Sequence, residues 1–170
     1  MYRAGELAGA LFLGKLALHT DIDSIRVNIT MHAMEESIHS WLWTKAIVEM
    51  GGIPLKEKNS YQAAMGREFG MPRDIIDAFC LTQVLELRVK SHFTYHLKLP
   101  KLNPIIKKTL KKLLADEKGH LYWIRKELDK YSAEFGPERV EKTMERCHEI
   151  DERVYKEFMS TPLFKKYFKL

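Results

Sequence analysis

The feature of this sequence that most constrains its fold is a repeated spacing of acidic and histidine residues. A lone glutamate is followed 30 or 31 residues later by a Glu-x-x-His, and this arrangement occurs twice. On a helix, residues three apart share a face and lie about 4.5 Å apart along the axis, so each Glu-x-x-His presents a carboxylate and an imidazole in the same direction. The repeat consists of Glu6, Glu36 and His39, then Glu86, Glu117 and His120.

The repeat also predicts where the chain turns. In two antiparallel neighbouring helices, residues at one level have numbers with a constant sum. Pairing Glu6 with Glu36 therefore places a turn near residue 21, and pairing Glu86 with Glu117 places one near residue 101. The chain reads TDID over residues 20–23 and PKLNP over residues 100–104, and both stretches are rich in turn-forming residues. Two helical hairpins related by a pseudo-two-fold axis are therefore predicted, each delivering half of a site.

Helix start and stop signals extend this prediction to an all-α domain of residues 1–170, with a four-helix bundle over residues 2–131. We expect helices over residues 2–19, from Asp21 or Asp23 to 50, 72–99, 103–131 and 137–159, the last an additional C-terminal helix. A long crossover over residues 55–71 would contain a short helix from 60 to 69, and an aromatic tail would follow from Pro162. The spacing of Leu7, Leu11 and Leu18 predicts a buried stripe, and Gly5, Gly9 and Gly14 predict close helix approach. The methionines at 31, 34, 50 and 65 are expected in the core.

Four carboxylates and two imidazoles form a ligand set that suits a pair of divalent transition metals. Carboxylates can bridge two ions, and imidazole nitrogen binds iron, zinc or copper. The alternative is that these glutamates are surface charges paired with lysines. That alternative does not explain why they alternate with apolar neighbours such as Leu7, Ile38, Leu85 and Leu121.

Bulk composition excludes several classes of protein. The 170 residues are 45% hydrophobic without an apolar run of 18, which predicts a soluble protein with no membrane span. The N-terminus does not resemble a secretion signal, so a cytoplasmic location is expected. Cys80 and Cys147 form no Cys-x-x-Cys, so electrons would come from an external donor. The net charge of +5 is scattered, and the lysines at 107, 108, 111 and 112 are interpreted as a solvated helix face in preference to a nucleic-acid site.

At these residues the chain resembles the ferritin-like di-iron carboxylate superfamily, in the style of its rubrerythrin and bacterioferritin branch. The resemblance covers residues 2–131 and rests on Glu6, HAMEESIH at 32–39, Glu86 and DEKGH at 116–120. It implies two iron ions, with manganese or a mixed pair as alternatives. It also implies that Glu36 and Glu117 bridge the metals, while Glu6 with His39 and Glu86 with His120 bind one metal each.

The chain departs from this family in three respects. Rubrerythrins carry a further glutamate one turn after the third-helix ligand, where this chain has Val89. A rubredoxin domain is absent from the sequence. The first helix begins only a few residues before Glu6, so one wall of the bundle would be short, and a full storage cage is not expected. We expect the C-terminal helix or a second copy of the chain to cover this gap.

Five residues near the repeat are secondary candidates. Level arithmetic places His32 beside Ala10, Lys90 and Leu113 at a rim, where bonding to a neighbour is favoured over a role as proton donor or ligand. Glu35 and Asp116 flank ligands and could orient imidazoles, although as helix-surface charges they need no such role. Trp43 and Trp123 are expected to face inward, as core residues in preference to electron relays.

The remaining aromatic and histidine residues carry less information. Tyr95 and Tyr122 are radical candidates only by analogy with ribonucleotide reductase small subunits. The histidines without a partner at metal spacing are interpreted as rim or surface residues, namely His19, His92, His96 and His148.

The leading functional expectation is a di-iron oxidoreductase that activates dioxygen or hydrogen peroxide, as an oxidase or oxygenase on a small organic substrate or as a peroxidase. The alternative is a ferroxidase-type metal-handling protein without an organic substrate. A helical bundle with a vestigial site is a third interpretation. The expected partners are dioxygen or peroxide and an external electron donor. A small organic substrate and a second copy of the chain are left open, and neither nucleic acid nor a membrane is expected.

Overall fold

The computed structural model describes residues 1–56 and 60–161, and over these ranges the chain forms six helices and no strand. The all-α prediction is therefore confirmed, while residues 57–59 of the expected crossover and the expected tail from Pro162 lie outside the described residues. None of the described helices is long and apolar enough to cross a membrane. The helices are α1 (Tyr2–His19), α2 (Asp23–Glu49), α3 (Tyr61–Phe69), α4 (Ile75–Leu97), α5 (Pro104–Phe135) and α6 (Pro137–Ser160).

Side-chain caps explain where the helices begin. Asn103 accepts a hydrogen bond from the backbone N–H of Ile105, with Pro104 in the first turn of α5. Asp74 caps α4 by accepting from the N–H of Asp77, which is why α4 begins at Ile75 and not at the predicted Pro72. Helix α5 continues to Phe135, past the predicted end at 131, and stops where Gly136 adopts a φ of 88°.

Asp77 also ties the start of α4 to α6. Its carboxylate accepts hydrogen bonds from Arg73 at 2.9 Å and from Arg139 of α6 at 2.6 Å. Burial acts to raise the pKa of Asp77, but the bonds from the two arginines outweigh it and hold the pKa below its ordinary value. The ionised carboxylate therefore stabilises the docking of α6.

The helices form two hairpins whose turns lie at opposite ends of the bundle. Helices α1 and α2 are antiparallel, with Ser40 Oγ donating to the carbonyl oxygen of Arg3 at 3.0 Å. Helices α2 and α4 are parallel, because His32 contacts Glu86 and, further along both helices, Trp43 contacts Phe93. The long connection that contains α3 makes this possible, since it returns the chain to the starting end of α2.

Two apolar clusters lie at the two ends of the bundle. The larger apolar cluster, near the α1–α2 turn, includes Leu13, Ile29, Phe79 and Ile124 and extends into α3 and α6. The smaller apolar cluster, near the α4–α5 turn, consists of Trp43, Val89, Phe93, Leu110 and Leu113. A layer of buried polar side chains lies between the two clusters.

Part of the predicted core was wrong. Leu7, Leu11 and Leu18 of α1 are 41%, 69% and 78% exposed, while the buried residues of α1 are Gly5, Glu6, Ala10 and Leu13. The leucine spacing did indicate one face of a helix, but periodicity does not tell which face is inside. Of the four methionines, only Met65 is buried, whereas those at 31, 34 and 50 are exposed.

Candidate metal centre

Two Glu-x-x-His pairs face each other across the bundle, one on α2 and one on α5. Glu36 Oε1 lies 3.6 Å from Nδ1 of His39 in its own helix and 3.4 Å from Nδ1 of His120 in α5. Glu117 oxygens lie 3.7 Å from Nδ1 of His120 and 3.7 Å from Nδ1 of His39. All four residues are at most 4% exposed. The fold thus brings two carboxylates and two imidazoles together in its interior.

The two single glutamates join this cluster from α1 and α4. Glu6 is 2% exposed and places a donor atom within 4.8 Å of donor atoms of Glu36 and His39. Glu86 is 7% exposed, and its Oε1 lies 3.9 Å from Nδ1 of His120. The structure therefore brings all six residues of the sequence repeat into one buried cluster.

Gly9 of α1 leaves room for the Glu36 carboxylate. A Cβ atom at position 9 would lie 3.0 Å from Oε2 of Glu36, closer than ordinary van der Waals contact. At Gly5 a Cβ would lie 2.3 Å from the side chain of Gln62 in α3, whereas at Gly14 it would meet nothing within 4 Å. Close approach was predicted for all three glycines, and the structure shows it for two of them.

His32 belongs to the cluster, and its predicted position at a rim was wrong. The side chain is fully buried, with Nε2 3.0 Å from Glu86 Oε1 and 3.5 Å from Glu36 Oε1. Its ring centroid lies 3.7 Å from that of His120. The level arithmetic placed His32 beside Lys90 because it assumed that the α1–α2 turn and the α4–α5 turn lie at the same end of the bundle. Since α2 and α4 are parallel, residue 32 instead lies level with a residue of α4 that precedes Glu86.

The donor atoms form two sets that share Glu36. Within each set, the chosen oxygen and nitrogen atoms lie within 4.8 Å of one another. The sets are His32, Glu36, Glu86 and His120, and Glu6, Glu36 and His39. Each set could hold a metal ion, and a carboxylate common to both is placed to bridge two ions. Glu117 belongs to neither set, although its oxygens face both His39 and His120.

Several polar atoms of the cluster are buried without a hydrogen-bond partner. They are Oε1 of Glu6 and Glu36, both carboxylate oxygens of Glu117, Nδ1 of His32 and His120, and both ring nitrogens of His39. Buried polar atoms in proteins are normally paired, and a bound ion is one common reason for an exception. Because these atoms are all carboxylate oxygens and imidazole nitrogens, they fit a divalent transition metal.

Two further carboxylates face the outer nitrogens of the imidazoles, and each comes from the opposite hairpin. Glu35 of α2 lies with Oε2 2.9 Å from Nε2 of His120 in α5. Asp116 of α5 lies with Oδ2 3.4 Å from Nε2 of His39 in α2. At His120 the Glu35 carboxylate favours the proton on Nε2 and directs the Nδ1 lone pair inward, which is the geometry of a metal-binding histidine. Among the described residues, Nε2 of His39 has no hydrogen-bond partner, because Asp116 lies too far away.

Acid groups in the metal-free cluster take up protons. Burial, together with the neighbouring charge of Glu36, raises the pKa of Glu6 well above its ordinary value. Burial and the charge of Glu86 do the same to the pKa of Glu117. Four carboxylates this close cannot all be ionised without compensating positive charge. In the absence of cations, protons therefore supply part of that charge.

His32 supplies positive charge in the same way. Burial acts to lower the pKa of its imidazole, but the hydrogen bonds and charges of Glu36 and Glu86 outweigh burial and raise the pKa to about 9. His32 is therefore protonated at neutral pH when no cation is present. The same carboxylates that would bind a metal hold this proton.

The aromatic residues near the cluster lie on its two sides. Trp123 packs edge-on against His32, with ring centroids 5.7 Å apart, and against Phe79 of the larger apolar cluster. Trp43 lies in the smaller apolar cluster and stacks on Tyr2 at 5.1 Å. Both tryptophans face inward as expected, and they form the apolar walls above and below the polar layer.

Tyr2, which packs beside this layer, is a tyrosine that the sequence did not single out. The Tyr2 hydroxyl lies 2.6 Å from Nδ1 of His96, and burial followed by the charge of Glu6 raises the Tyr2 pKa. His96 is 9% exposed, so its predicted surface position was wrong. The radical candidates Tyr95 and Tyr122 are 46% and 70% exposed.

The other histidines differ in exposure. His92 is half-buried, and burial lowers its pKa to about 4, whereas His19 and His148 are exposed as expected.

The gap beside Glu6 is closed by two elements. Gln62 of α3 contacts α1 at Gly5, and Phe158 near the end of α6 lines a small surface pocket together with Tyr2 and Gln62. The prediction that the C-terminal helix covers this gap is therefore confirmed in part, because α3 of the crossover covers it as well. With Glu6 at 2% exposure, this side of the cluster is shut off from solvent.

No family model, no curated protein and no solved structure matches this chain. Functional assignment therefore depends on the geometry of the cluster and the chemistry of its residues.

Proposed function

We propose that this protein is a di-metal oxidoreductase of the ferritin-like type that uses dioxygen or hydrogen peroxide. Its ions would be two irons, with manganese or a mixed pair as the alternative. The observation that carries the proposal is the pair of buried donor sets joined by Glu36, in which Nδ1 of His39 and Nδ1 of His120 face the carboxylates without hydrogen-bond partners in the described part of the chain. Structural helical bundles have no reason to bury four carboxylates at this spacing.

The connectivity supports the ferritin-like assignment. Two antiparallel hairpins joined by a long crossover, with the second and third long helices parallel, is the arrangement associated with ferritin-like bundles. In those proteins single glutamates from two helices and Glu-x-x-His pairs from the other two project inward. Here α1 and α4 provide the single glutamates, while α2 and α5 provide the pairs.

The ligand roles are those that the family resemblance implies. Glu36 and Glu117 would bridge the ions, Glu6 with His39 would bind one, and Glu86 with His120 would bind the other. His32 is an additional donor on the Glu86 side, because it lies in the same donor set. Rubrerythrins carry a further glutamate one turn after the ligand that corresponds to Glu86. Here that position is Val89, which lies in the smaller apolar cluster. The carboxylate shift attributed to rubrerythrins is therefore not part of this proposal.

Bound metal ions would supply the redox chemistry towards oxygen species, and the protein would supply position and environment. Four carboxylates compensate the charge of two divalent ions. Glu35 keeps the Nε2 proton of His120 outward, and Asp116 faces Nε2 of His39 at 3.4 Å. The two apolar clusters exclude water from both ends of the polar layer, and His32 Nε2 holds a proton beside Glu86 when the site is metal-free.

The closed site favours a small oxidant over a large organic substrate. Every residue of the donor sets is at most 7% exposed, and α3 and α6 cover the side where a short α1 could have left an opening. Dioxygen and hydrogen peroxide can reach such a site through small fluctuations of packing. Electrons would come from an external donor, because Cys80 and Cys147 are both fully buried free thiols.

The same enclosure also favours the second candidate, a ferroxidase-type metal-handling protein. Both functions need the two metal sites, so binding alone does not distinguish them. An oxidoreductase turns over repeatedly with a reductant and keeps its metal, whereas a metal-handling protein releases or stores the oxidised ion. Repeated turnover at constant metal content is therefore the expected result for the leading proposal.

The test begins with anaerobic loading of ferrous iron, followed by exposure to oxygen or peroxide. We expect two ions per chain and iron oxidation faster than in buffer. The Glu36→Ala variant should lose most of this binding, because both donor sets contain Glu36. The matched control is Glu49→Ala, on the same helix but exposed and paired with Lys45. Equal metal content in wild type and Glu36→Ala, or oxidation no faster than in buffer, would refute the proposal.

A further inference from the structure

Helix α2 carries a second apolar face, opposite the one that bears the cluster. Its residues recur with alternating steps of four and three, interrupted only by Lys45. They are Val27 (73% exposed), Met31 (46%), Met34 (54%), Ile38 (43%), Trp41 (61%) and Val48 (58%). Such spacing averages about 3.5 residues and is typical of a helix that packs along another helix. We name these six residues the outer stripe.

None of the described helices covers the outer stripe. The side chains of Glu36, His39 and Trp43 point into the bundle, and the outer stripe lies on the opposite side of α2. The neighbouring α1 also carries exposed apolar residues, since Leu7, Leu11 and Leu18 were expected in the core but are exposed. The hairpin of α1 and α2 therefore exposes apolar side chains that no described part of the chain packs against.

The exposed area is large enough for a stable protein interface. From the exposed fractions, the nine side chains together expose on the order of 1,000 Å². A typical monomer has a largest apolar patch of about 300–600 Å². A standard interface buries about 800 Å² on each partner. The outer stripe accounts for about 600 Å² of this area and reaches the top of the first range, and together with the leucines of α1 the area meets the second value.

We propose that α2 packs antiparallel against α2 of a second copy of this chain, about a two-fold axis through the outer stripe. A stripe that is apolar at every position except Lys45 matches itself, which is what an isologous interface needs. Lys45 decides the direction. In a parallel pair the two Lys45 side chains would face each other at one level, whereas an antiparallel pair separates them.

The register follows from centring the stripe on the axis, which then passes between residues 37 and 38. Trp41 packs against Met34 of the partner subunit, and Val27 packs against Val48 of the partner subunit. Tryptophan with methionine is a favourable pairing of a large ring and a flexible thioether. Because the axis crosses near Ile38, this residue lies close to Ile38 of the partner subunit.

Molar mass in solution gives the first test, with the full-length protein in its metal-free and metal-loaded forms. The chain has a mass of 19.9 kDa, and we expect light scattering to give twice this value in both forms. Trp41→Glu should raise the dimer dissociation constant about a thousand-fold, because a central tryptophan is lost twice and two charges are introduced. Tyr122→Glu, at a 70% exposed site on α5, is the matched control and should stay dimeric.

Cysteine cross-linking tests the direction. The native cysteines are fully buried, so the unmodified protein should not cross-link under mild oxidation. Ile38→Cys should form a disulfide-linked dimer, and Lys45→Cys should not. A monomeric wild type, including one that binds lipid vesicles instead, overturns the proposal. So does an assembly that Trp41→Glu leaves intact while its helix content is unchanged. Cross-linking at position 45 but not 38 overturns the antiparallel arrangement.

Discussion

Replacing Glu35 by alanine is expected to weaken metal binding although Glu35 is not a proposed ligand. Its carboxylate lies 2.9 Å from Nε2 of His120 and fixes the proton on that nitrogen. Burial lowers the pKa of His120 in spite of the surrounding carboxylates, so the ring is held neutral. A neutral imidazole carries one proton. When Glu35 is removed, part of the population will carry that proton on Nδ1, the nitrogen that faces the cluster.

The size of the effect follows from the hydrogen-bond geometry. Loss of a carboxylate that orients a metal-binding histidine reduces affinity about 10- to 100-fold, which corresponds to about 1.4 to 2.7 kcal/mol. Asp116 lies 3.4 Å from Nε2 of His39, beyond the usual hydrogen-bond range. Asp116→Ala should therefore cost less than Glu35→Ala, and the cost of the double variant should depart from the sum, since His39 and His120 both contact Glu36 and Glu117.

Affinity is best measured by chelator competition for ferrous or manganous ion under anaerobic conditions. Glu49→Ala serves as the control, because it removes an exposed carboxylate from the same helix. Circular dichroism of each variant shows whether the bundle is intact. The reasoning is refuted if Glu35→Ala binds metal within twofold of wild type, or if Asp116→Ala has the larger effect.

Three further predictions concern folding and packing. Because arginines hold the Asp77 pKa low, its contribution to stability is complete above the ordinary aspartate pKa of about 4 and is lost as the pH falls below it. In Asp77→Asn, the urea midpoint should depend less on pH between pH 5 and about pH 2, the range in which the wild type loses stability. A pH dependence equal to that of the wild type would contradict this. Phe79→Ala should lower the free energy of unfolding by about 3–5 kcal/mol, as measured by urea titration, because Phe79 is fully buried. Gly9→Val should displace Glu36 and reduce metal content while helicity is retained, and normal metal content would show that α1 can move aside.

The spacing of six residues was sufficient to predict helices, turns and the polar interior. It succeeded because ligands on four helices must be level, which links residue numbers to three-dimensional position. It failed at His32, because the arithmetic contained no information on which end of the bundle the second hairpin turns. A long connection is the only sequence signal for parallel α2 and α4, and it was recognised as a crossover without being used to set the levels.

The second failure of prediction from the sequence concerned which faces of α1 and α2 are buried. Both helices have apolar residues on opposite faces, so hydrophobic periodicity fits either orientation. Glu6 and Glu36 select the inward face only once they are known to converge. The same ambiguity hid the outer stripe, whose methionines were expected in the core. A helix with apolar residues on two faces can bury one within its own chain and leave the other for a partner.

The reciprocal contacts of Glu35 and Asp116 have a consequence for assembly of the bundle. Each hairpin carries a histidine whose Nε2 faces a carboxylate of the other hairpin. A shift of α2 past α5 by one helical turn, about 5.4 Å, would break both contacts at once. If the proposed function holds, tight metal uptake requires correct docking of the two hairpins, and the affinity for the ion would report how well the two halves of the molecule are aligned.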